Sequence, residues 1–148
     1  MADLNNLGER KIIDILIRKL ERMPNSCIAF GDDVATVKLS DGKVAVLNSD
    51  MLVHSTDVPK GMNLLQTGRK AVIMAISDLA SKGVQPLAIL SSLALPSTLR
   101  TQDIQEIAEG LNSGAREYDA YVIGGDTNRA GELIIDCLVF GVTKEKNL

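Results

Sequence analysis

The stretch Ala35-Thr-Val-Lys-Leu-Ser-Asp-Gly-Lys-Val-Ala-Val-Leu47 shows the pattern of two short strands joined by a turn. Polar and apolar residues alternate from Ala35 to Leu39, and an apolar run resumes from Val44 to Leu47. The dipeptide Asp41-Gly42 between them is a strong turn signal, so the stretch predicts a β-hairpin. Because a hairpin joins antiparallel strands, a purely parallel sheet is disfavoured for this domain.

Two helical patterns lie on either side of the predicted hairpin. Apolar residues recur at helical spacing from Leu7 to Met23, with Asn6 as a candidate N-cap. A longer pattern runs from Leu64 to Lys82, and Gly83 follows it as a left-handed C-cap. The segment Ala71–Ala80 within that pattern is apolar almost all round, which predicts a buried helix.

The rest of the chain alternates between strands and one further helix. Leu87–Leu95 is an apolar run bounded by prolines and predicts a strand, and Thr101 begins a helix in which Gly110 and Gly114 offer a thin face for close packing. Two final strands and an acidic loop between them complete the pattern: Tyr121–Ile123, Gly124–Arg129 and Leu133–Val142. Interleaved helices and hairpin-type connections predict an α+β layered domain.

Composition limits the classes of partner. The chain has 148 residues, 45% of them hydrophobic, and we expect a single domain over residues 1–148 that needs no disulfide to fold. The net charge of −3 and the absence of a basic run argue against a nucleic-acid partner. No apolar stretch approaches the ~20 residues of a membrane span, and the N-terminus lacks signal-peptide features. We therefore expect a cytoplasmic protein.

Aspartates are the candidate functional residues, since the chain has one histidine and two widely separated cysteines. Four segments each place an aspartate beside small or hydroxylated residues: Gly31-Asp32-Asp33, Asn48-Ser49-Asp50, Ser77-Asp78 and Gly124-Gly125-Asp126-Thr127. Asp78 lies in the predicted buried helix, where an unpaired carboxylate is costly. Arg69 and Lys70 are out of phase with it on the helix. Oxygen ligands without histidine or thiolate favour Mg²⁺ over zinc or copper.

Each segment also has a structural interpretation. An aspartate before a strand, at a strand end or after Gly-Gly commonly stabilises a turn. Asp78 could equally be a buried acid bound to backbone N–H groups. Taken together, the four segments favour a magnesium site, because turn stabilisation does not account for an acid in a buried helix. Glycines beside two of them would also let backbone approach a phosphate.

The same segments resemble a known family. Ile28–Ala35, Asn48–Val53, Gly68–Val72 with Ser77–Gly83, and Ile123–Arg129 are similar, in order and spacing, to the N-terminal half of the thiamine-monophosphate kinases, members of the aminoimidazole ribonucleotide synthetase superfamily. The resemblance implies ATP- and Mg²⁺-dependent phosphorylation of thiamine monophosphate to thiamine diphosphate. It also implies an α+β domain with a mixed, mostly antiparallel four-stranded sheet and helices on one face. Two such domains would pair into a barrel, forming a homodimer with ATP near the interface.

The resemblance assigns roles to individual residues. The implied metal ligands are Asp33, Asn48, Ser49, Asp50, Asp78 and Asp126, and the implied nucleotide contacts are Gly125 and Asp126. Direct phosphoryl transfer between two phosphates requires no nucleophilic side chain, so we expect no catalytic residue of that kind. Many family members carry a substrate-contacting histidine in the loop after Asp50, and the matching position here is Asp57.

Two alternatives to this function remain open from the sequence. The chain could belong to another small-molecule phosphotransferase of the same superfamily, or it could be a non-catalytic module that binds nucleotide and dimerises. The family's C-terminal half has no counterpart in residues 1–148, so we expect this domain alone to lack full activity. A selenophosphate synthetase is disfavoured, because no cysteine stands in an N-terminal glycine-rich loop.

Overall fold

The computed structural model describes residues 7–148. Its elements, in chain order, are α1 (Glu9–Ile17), β1 (Ala35–Lys38), β2 (Lys43–Val53), α2 (His54–Asp57), α3 (Leu64–Ser81), β3 (Pro86–Leu95), α4 (Thr101–Arg116), β4 (Tyr121–Arg129), β5 (Ile134–Lys144) and a final 3₁₀ turn (Glu145–Asn147). None of the helices in this part of the chain is both long and apolar enough to cross a bilayer.

The predicted hairpin is confirmed as the pair β1 and β2. Ala35 faces Leu47 and Lys38 faces Val44 across an antiparallel ladder. Asp41 and Gly42 both adopt positive φ angles, 59° and 67°, as the tight turns that match strand twist require. The turn sequence therefore fixes the register of the first two strands.

Within residues 7–148 the sheet has five strands in the order β1-β2-β5-β3-β4, so the expected four-stranded sheet is wrong. Only β3 and β4 run parallel, and the other neighbours are antiparallel. The predicted loop Gly124–Arg129 is a continuation of β4, because its backbone pairs with β3 from Leu90 to Leu95. Backbone pairing supplied by a neighbouring strand overrides the turn propensity of Gly-Gly-Asp.

Helices α3 and α4 cover one face of the sheet and pack closely on each other. A Cβ placed on Gly110 would lie 2.0 Å from the Leu65 carbonyl oxygen, and one on Gly114 would lie 3.1 Å from that of Arg69. The predicted thin face of α4 is therefore confirmed. The core between helices and sheet holds mostly aliphatic side chains, the largest of them Leu52, Ile76, Leu79, Ile89, Ile107 and Ile135.

The helix α3 begins at a capping box. The Asn63 side chain accepts a hydrogen bond from the Gln66 backbone, and the Gln66 side chain accepts one from the Asn63 backbone, at 2.8 and 3.1 Å. Gly83, with φ of 67°, follows the helix as predicted. In contrast, α1 ends at Ile17, so the predicted helix to Met23 is too long, and α1 contains no buried residue that would hold a longer helix against the core. The predicted N-cap Asn6 lies outside the described residues.

The second face of the sheet is not covered by any described element. Register places Leu47, Met51, Leu90 and Tyr121 on this face, which we call the open face. Met51, Leu90 and Tyr121 are exposed at 55%, 43% and 58%. The open face thus carries several exposed apolar side chains opposite the helices.

Candidate functional site

The candidate site is built where strand β2 meets helix α3. Asp50 pairs in register with the buried Cys137, which places both residues on the face of the sheet that the helices cover. Asn48, two residues earlier, donates from Nδ2 to Asp78 Oδ2 at 2.9 Å and to the Ala75 carbonyl oxygen at 3.2 Å. The side-chain oxygen of Asn48 takes part in neither contact. Asn48, Asp50 and Asp78 therefore converge, as the sequence predicts.

Negative charge accumulates around Asp50. Partial burial, and then the charge of Asp78, raise the pKa of the Asp50 carboxyl group, and Asp136 and Asp57 add to the rise. A rise from these causes means that the ionised form lacks enough compensating positive charge nearby. A divalent cation bound among these oxygens would supply that charge.

The neighbouring thiol does not change this metal preference. Burial raises the pKa of Cys137 to about 11, so the thiol stays protonated at neutral pH and is a poor metal ligand. Within residues 7–148, no group of three or more acidic, histidine or cysteine side chains is arranged so that it could hold a metal ion by itself. An open, all-oxygen donor set is what Mg²⁺ uses when phosphate oxygens and water complete its shell.

Asp78 differs from its prediction in one respect. Its side chain is partly exposed rather than fully buried, and a cation lies close in sequence at Lys82, one helical turn on. Lys82 forms an ion pair with Asp32 at 2.8 Å, and the charge of Asp78 also raises the pKa of Lys82. The charge of Asp33, the predicted ligand next to Asp32, likewise raises the pKa of Lys82.

The strand β4 carries the fourth predicted segment to a different surface. Register pairs Ser92 of β3 with both Asp126 and Asp136, which puts these residues on the open face. Asp50 and Asp78 lie on the helix side of the sheet, so the domain alone does not gather Asp126 with them. A Cβ on Gly125 would lie 1.7 Å from the Ser91 carbonyl oxygen, so close strand pairing itself requires this glycine.

Ser49 and Asp57 already have hydrogen-bond partners. The Ser49 hydroxyl donates to Asp136 Oδ1 at 2.8 Å on the open face, facing away from Asp50. Asp57 Oδ2 accepts a hydrogen bond from the Val53 backbone at 2.7 Å and so stabilises the turn α2. The roles that the sequence assigned to these two residues stay predictions.

Sequence analysis missed Lys82 and Asp136. Lys82 is four residues after Asp78, a spacing that places two side chains on the same helix face, so its position was detectable. Asp136 is an isolated aspartate in an apolar strand, and only the pairing of β5 with β2 brings it beside Ser49.

Residues 31–143 match the family model described as AIR synthase related protein, N-terminal domain. The chain belongs to this family. The match covers the strands β1 to β4, the helices α2 to α4 and every predicted site residue. The expected α+β fold is confirmed apart from its strand count, and the barrel formed by two paired domains stays a prediction.

Several thiamine-monophosphate kinases are similar to the chain over most of its length. A thiamine-monophosphate kinase from Pyrococcus horikoshii is 39% identical over 133 residues, which are 90% of this chain and 41% of that protein. One from Methanocaldococcus jannaschii is 35% identical, covering 93% of this chain and 44% of that protein. The chain spans less than half the length of these curated relatives.

Solved structures show the same architecture. The structure of tt0281 from Thermus thermophilus has a TM-score of 0.89 at 29% identity and covers 97% of this chain and 46% of its own. The structure of AaThiL complexed with AMPPCP and TMP has a TM-score of 0.87 at 26% identity and covers 97% of this chain and 45% of its own. The AIR synthase related domain described here is therefore similar to one half of each of these proteins.

Proposed function

We propose that this chain is the nucleotide- and Mg²⁺-binding part of a cytoplasmic, ATP-dependent thiamine-monophosphate kinase. The names of the relatives and the ligands of the AaThiL structure support the substrates. The observation that carries the proposal is the convergence of Asn48, Asp50 and Asp78, where uncompensated carboxylates raise the pKa of Asp50. An all-oxygen site of this kind suits a cation that bridges protein to phosphate.

The chemistry requires positioning and charge neutralisation. Bound Mg²⁺ supplies the positive charge that lets two phosphate groups approach and that stabilises the transferring phosphoryl group. In this proposal the metal ligands are Asp33, Asn48, Ser49, Asp50, Asp78 and Asp126. The acceptor phosphate of thiamine monophosphate attacks directly, so no side chain serves as a nucleophile.

The remaining residues have supporting roles in the proposal. Gly125 and Asp126 contact the nucleotide, and Asp57 contacts the second substrate, thiamine monophosphate. The charge of Asp57 already acts on Asp50, which supports its placement near the cation site. The Val53 amide holds one of its carboxylate oxygens, so a substrate contact would use the other.

A homodimer completes the proposal. The exposed apolar side chains of the open face favour a second copy of the chain as the covering surface, because several large apolar side chains exposed on one face are typical of an interface. Asp126 and Asp136 lie on the same face, so pairing of two copies would bring these acids to the interface. This arrangement gives Asp126 a route to a nucleotide that the isolated domain does not provide.

The experiment that tests the proposed activity is the production of thiamine diphosphate from thiamine monophosphate and ATP by the full-length gene product. We expect product only when Mg²⁺ is present and little or none with Asp50→Asn. The conservative change Asp41→Asn in the hairpin turn is the matched control and should keep wild-type rates. Turnover of a different phosphate acceptor, with none of thiamine monophosphate, would contradict the assignment.

A further inference from the structure

Lys82 lies at the C-cap of α3 and bridges two parts of the candidate site. Its Nζ is 2.8 Å from Asp32 Oδ1 and 3.0 Å from Oδ2, and each of the two side chains is 29% exposed. The hydrogen bond to Asp32 chiefly raises the pKa of Lys82, and the charges of Asp33 and Asp78 add to the rise. Lys82 is therefore a charged group placed among three aspartates.

The two adjacent aspartates of this loop have different surroundings. Asp32 also accepts a hydrogen bond from the Val34 backbone at 3.3 Å, at the point where the chain enters the core. Among residues 7–148, no hydrogen bond or ion pair engages the Asp33 carboxylate. Gly31 precedes the pair at φ of 102°, which lets the chain turn sharply into the loop. Asp32 thus serves as the anchor, and Asp33 is left available as an oxygen ligand.

The other cations of α3 are engaged elsewhere. Arg69 forms two hydrogen bonds to the Glu117 carboxylate, at 2.6 and 2.7 Å, beyond the end of α4. Lys70 donates to the Asp57 backbone carbonyl. Of the cations on α3 and its C-cap, only Lys82 contacts the loop that carries Asp33.

We propose that Lys82 is a positioning residue of the cation site: it holds the Asp32–Asp33 loop against the end of α3, so that the Asp33 carboxylate is preorganised to bind Mg²⁺ together with Asp78. This inference rests on the proposed function. Lys82 itself need not touch the metal or the nucleotide. Its contribution comes from fixing the loop before the cation arrives, which lowers the entropic cost of binding.

The first test measures Mg²⁺-dependent binding of a non-hydrolysable ATP analogue by calorimetry. We expect Lys82→Met to weaken this binding about three- to fivefold, the upper part of the range that loss of a partly exposed ion pair produces. Lys82→Arg keeps the charge and should restore most of the affinity. Lys38→Met is the matched control, because it removes another lysine–carboxylate pair, with Glu145, away from the site.

The partner variant tests whether the effect passes through Asp32. Asp32→Asn should lower affinity as much as Lys82→Met, and combining the two should produce no further loss. Hydrogen exchange of the Val34 amide provides a readout without metal or nucleotide. In the metal-free protein this amide should exchange faster in Lys82→Met than in the wild type or in Lys38→Met.

Three results would overturn the inference: unchanged or tighter binding in Lys82→Met, an additive loss in the double variant, or Val34 exchange that does not change. If Lys82→Met does not fold, the two single variants Asp32→Asn and Lys82→Arg are compared instead: the first breaks the ion pair, and the second keeps it. Asp33→Asn and Asp78→Asn separate this inference from the proposed function. If both abolish binding while Lys82→Met does not, only the role of Lys82 fails; if neither changes binding, the cation site fails with it.

Discussion

Asn48 on β2 donates a hydrogen bond of 2.9 Å to the Asp78 carboxylate on α3. Asn48 is only 8% exposed, and its second contact, to the Ala75 carbonyl oxygen, closes the gap between strand and helix. One side chain thereby fixes the distance between the two elements that carry the candidate ligands. Both contacts use the amide nitrogen, and the resemblance makes Asn48 a metal ligand as well, so packing and ligand placement depend on one residue.

The first prediction concerns this hydrogen-bonded link. Asn48→Ala should lower the free energy of unfolding by about 1–3 kcal/mol, because it removes both hydrogen bonds of the buried Asn48 amide group, one of them to the charged Asp78 carboxylate. Urea denaturation measures the change. Asn112→Ala, at an exposed position on α4, is the matched control and should change stability by less than about 0.5 kcal/mol. Equal effects of the two changes would contradict the structural role of Asn48.

The second prediction concerns pH. Burial and the Asp78 charge raise the pKa of Asp50 in the folded state above its unfolded value. Between these two pKa values the folded state binds more protons than the unfolded state, so ionisation of Asp50 lowers stability as the pH rises through that interval. We expect Asp50→Asn to melt at a higher temperature than the wild type at pH 7 without Mg²⁺, and at nearly the same temperature at a pH below both pKa values.

Added Mg²⁺ should change that comparison. It should raise the melting temperature of the wild type and leave that of Asp50→Asn nearly unchanged, because a ligand stabilises only the state that binds it. Asp41→Asn, in the exposed hairpin turn, should behave like the wild type in all of these scans. A lower melting temperature for Asp50→Asn in metal-free buffer would contradict the electrostatic argument.

The third prediction concerns the contact between α3 and α4. Gly110→Ala places a methyl group 2.0 Å from the Leu65 carbonyl oxygen, which the helices can relieve only by moving apart. We expect a loss of stability of at least about 2 kcal/mol, typical of overpacking against rigid backbone. Gly131→Ala, where a Cβ has nothing within 4 Å, is the control and should unfold as the wild type does in urea. A fully stable Gly110→Ala would show that the helices are less tightly packed than the structure describes.

Structural features that depend on residues close together in the chain could be predicted from the sequence, and features that depend on distant contacts could not. The boundaries of α3 were predictable because a capping residue precedes the helix and Gly83 follows it, and both act within one turn of the chain. The extension of β4 through Gly125 and Asp126 was not predictable. It arises from parallel pairing with β3, a contact between segments more than thirty residues apart in the chain.

The same distinction applies to the residues of the candidate site. Asp50 and Asp78 could be predicted as neighbours because each belongs to an apolar element that must enter the core. The placement of Asp126 on the opposite face depends on a bulge between Val122 and Gly124, which shifts the register against Ile89 and Leu90. A one-residue shift in register moves a side chain to the other face of the sheet, and the amino-acid composition does not predict such a shift.

The fourth prediction concerns the open face. We expect the protein to be a dimer in multi-angle light scattering, and Leu90→Lys to shift it to a monomer by placing a charge in the apolar interface. Ile104→Lys is the matched control, because Ile104 is exposed to a similar degree, 41% against 43% for Leu90, but lies on α4. A wild-type monomer at high concentration, or an Ile104→Lys monomer beside a Leu90→Lys dimer, would contradict this assignment.

The most direct test of the proposed cation site is a calorimetric titration of the protein with a non-hydrolysable ATP analogue, with and without Mg²⁺. Binding should require Mg²⁺ and should fall at least about tenfold in Asp50→Asn and in Asp78→Asn, since each variant removes a charged metal ligand. Asp41→Asn should bind as the wild type does. Binding that persists without Mg²⁺, or that is unchanged in both site variants, would contradict the claim that these carboxylates hold the cation for a nucleotide.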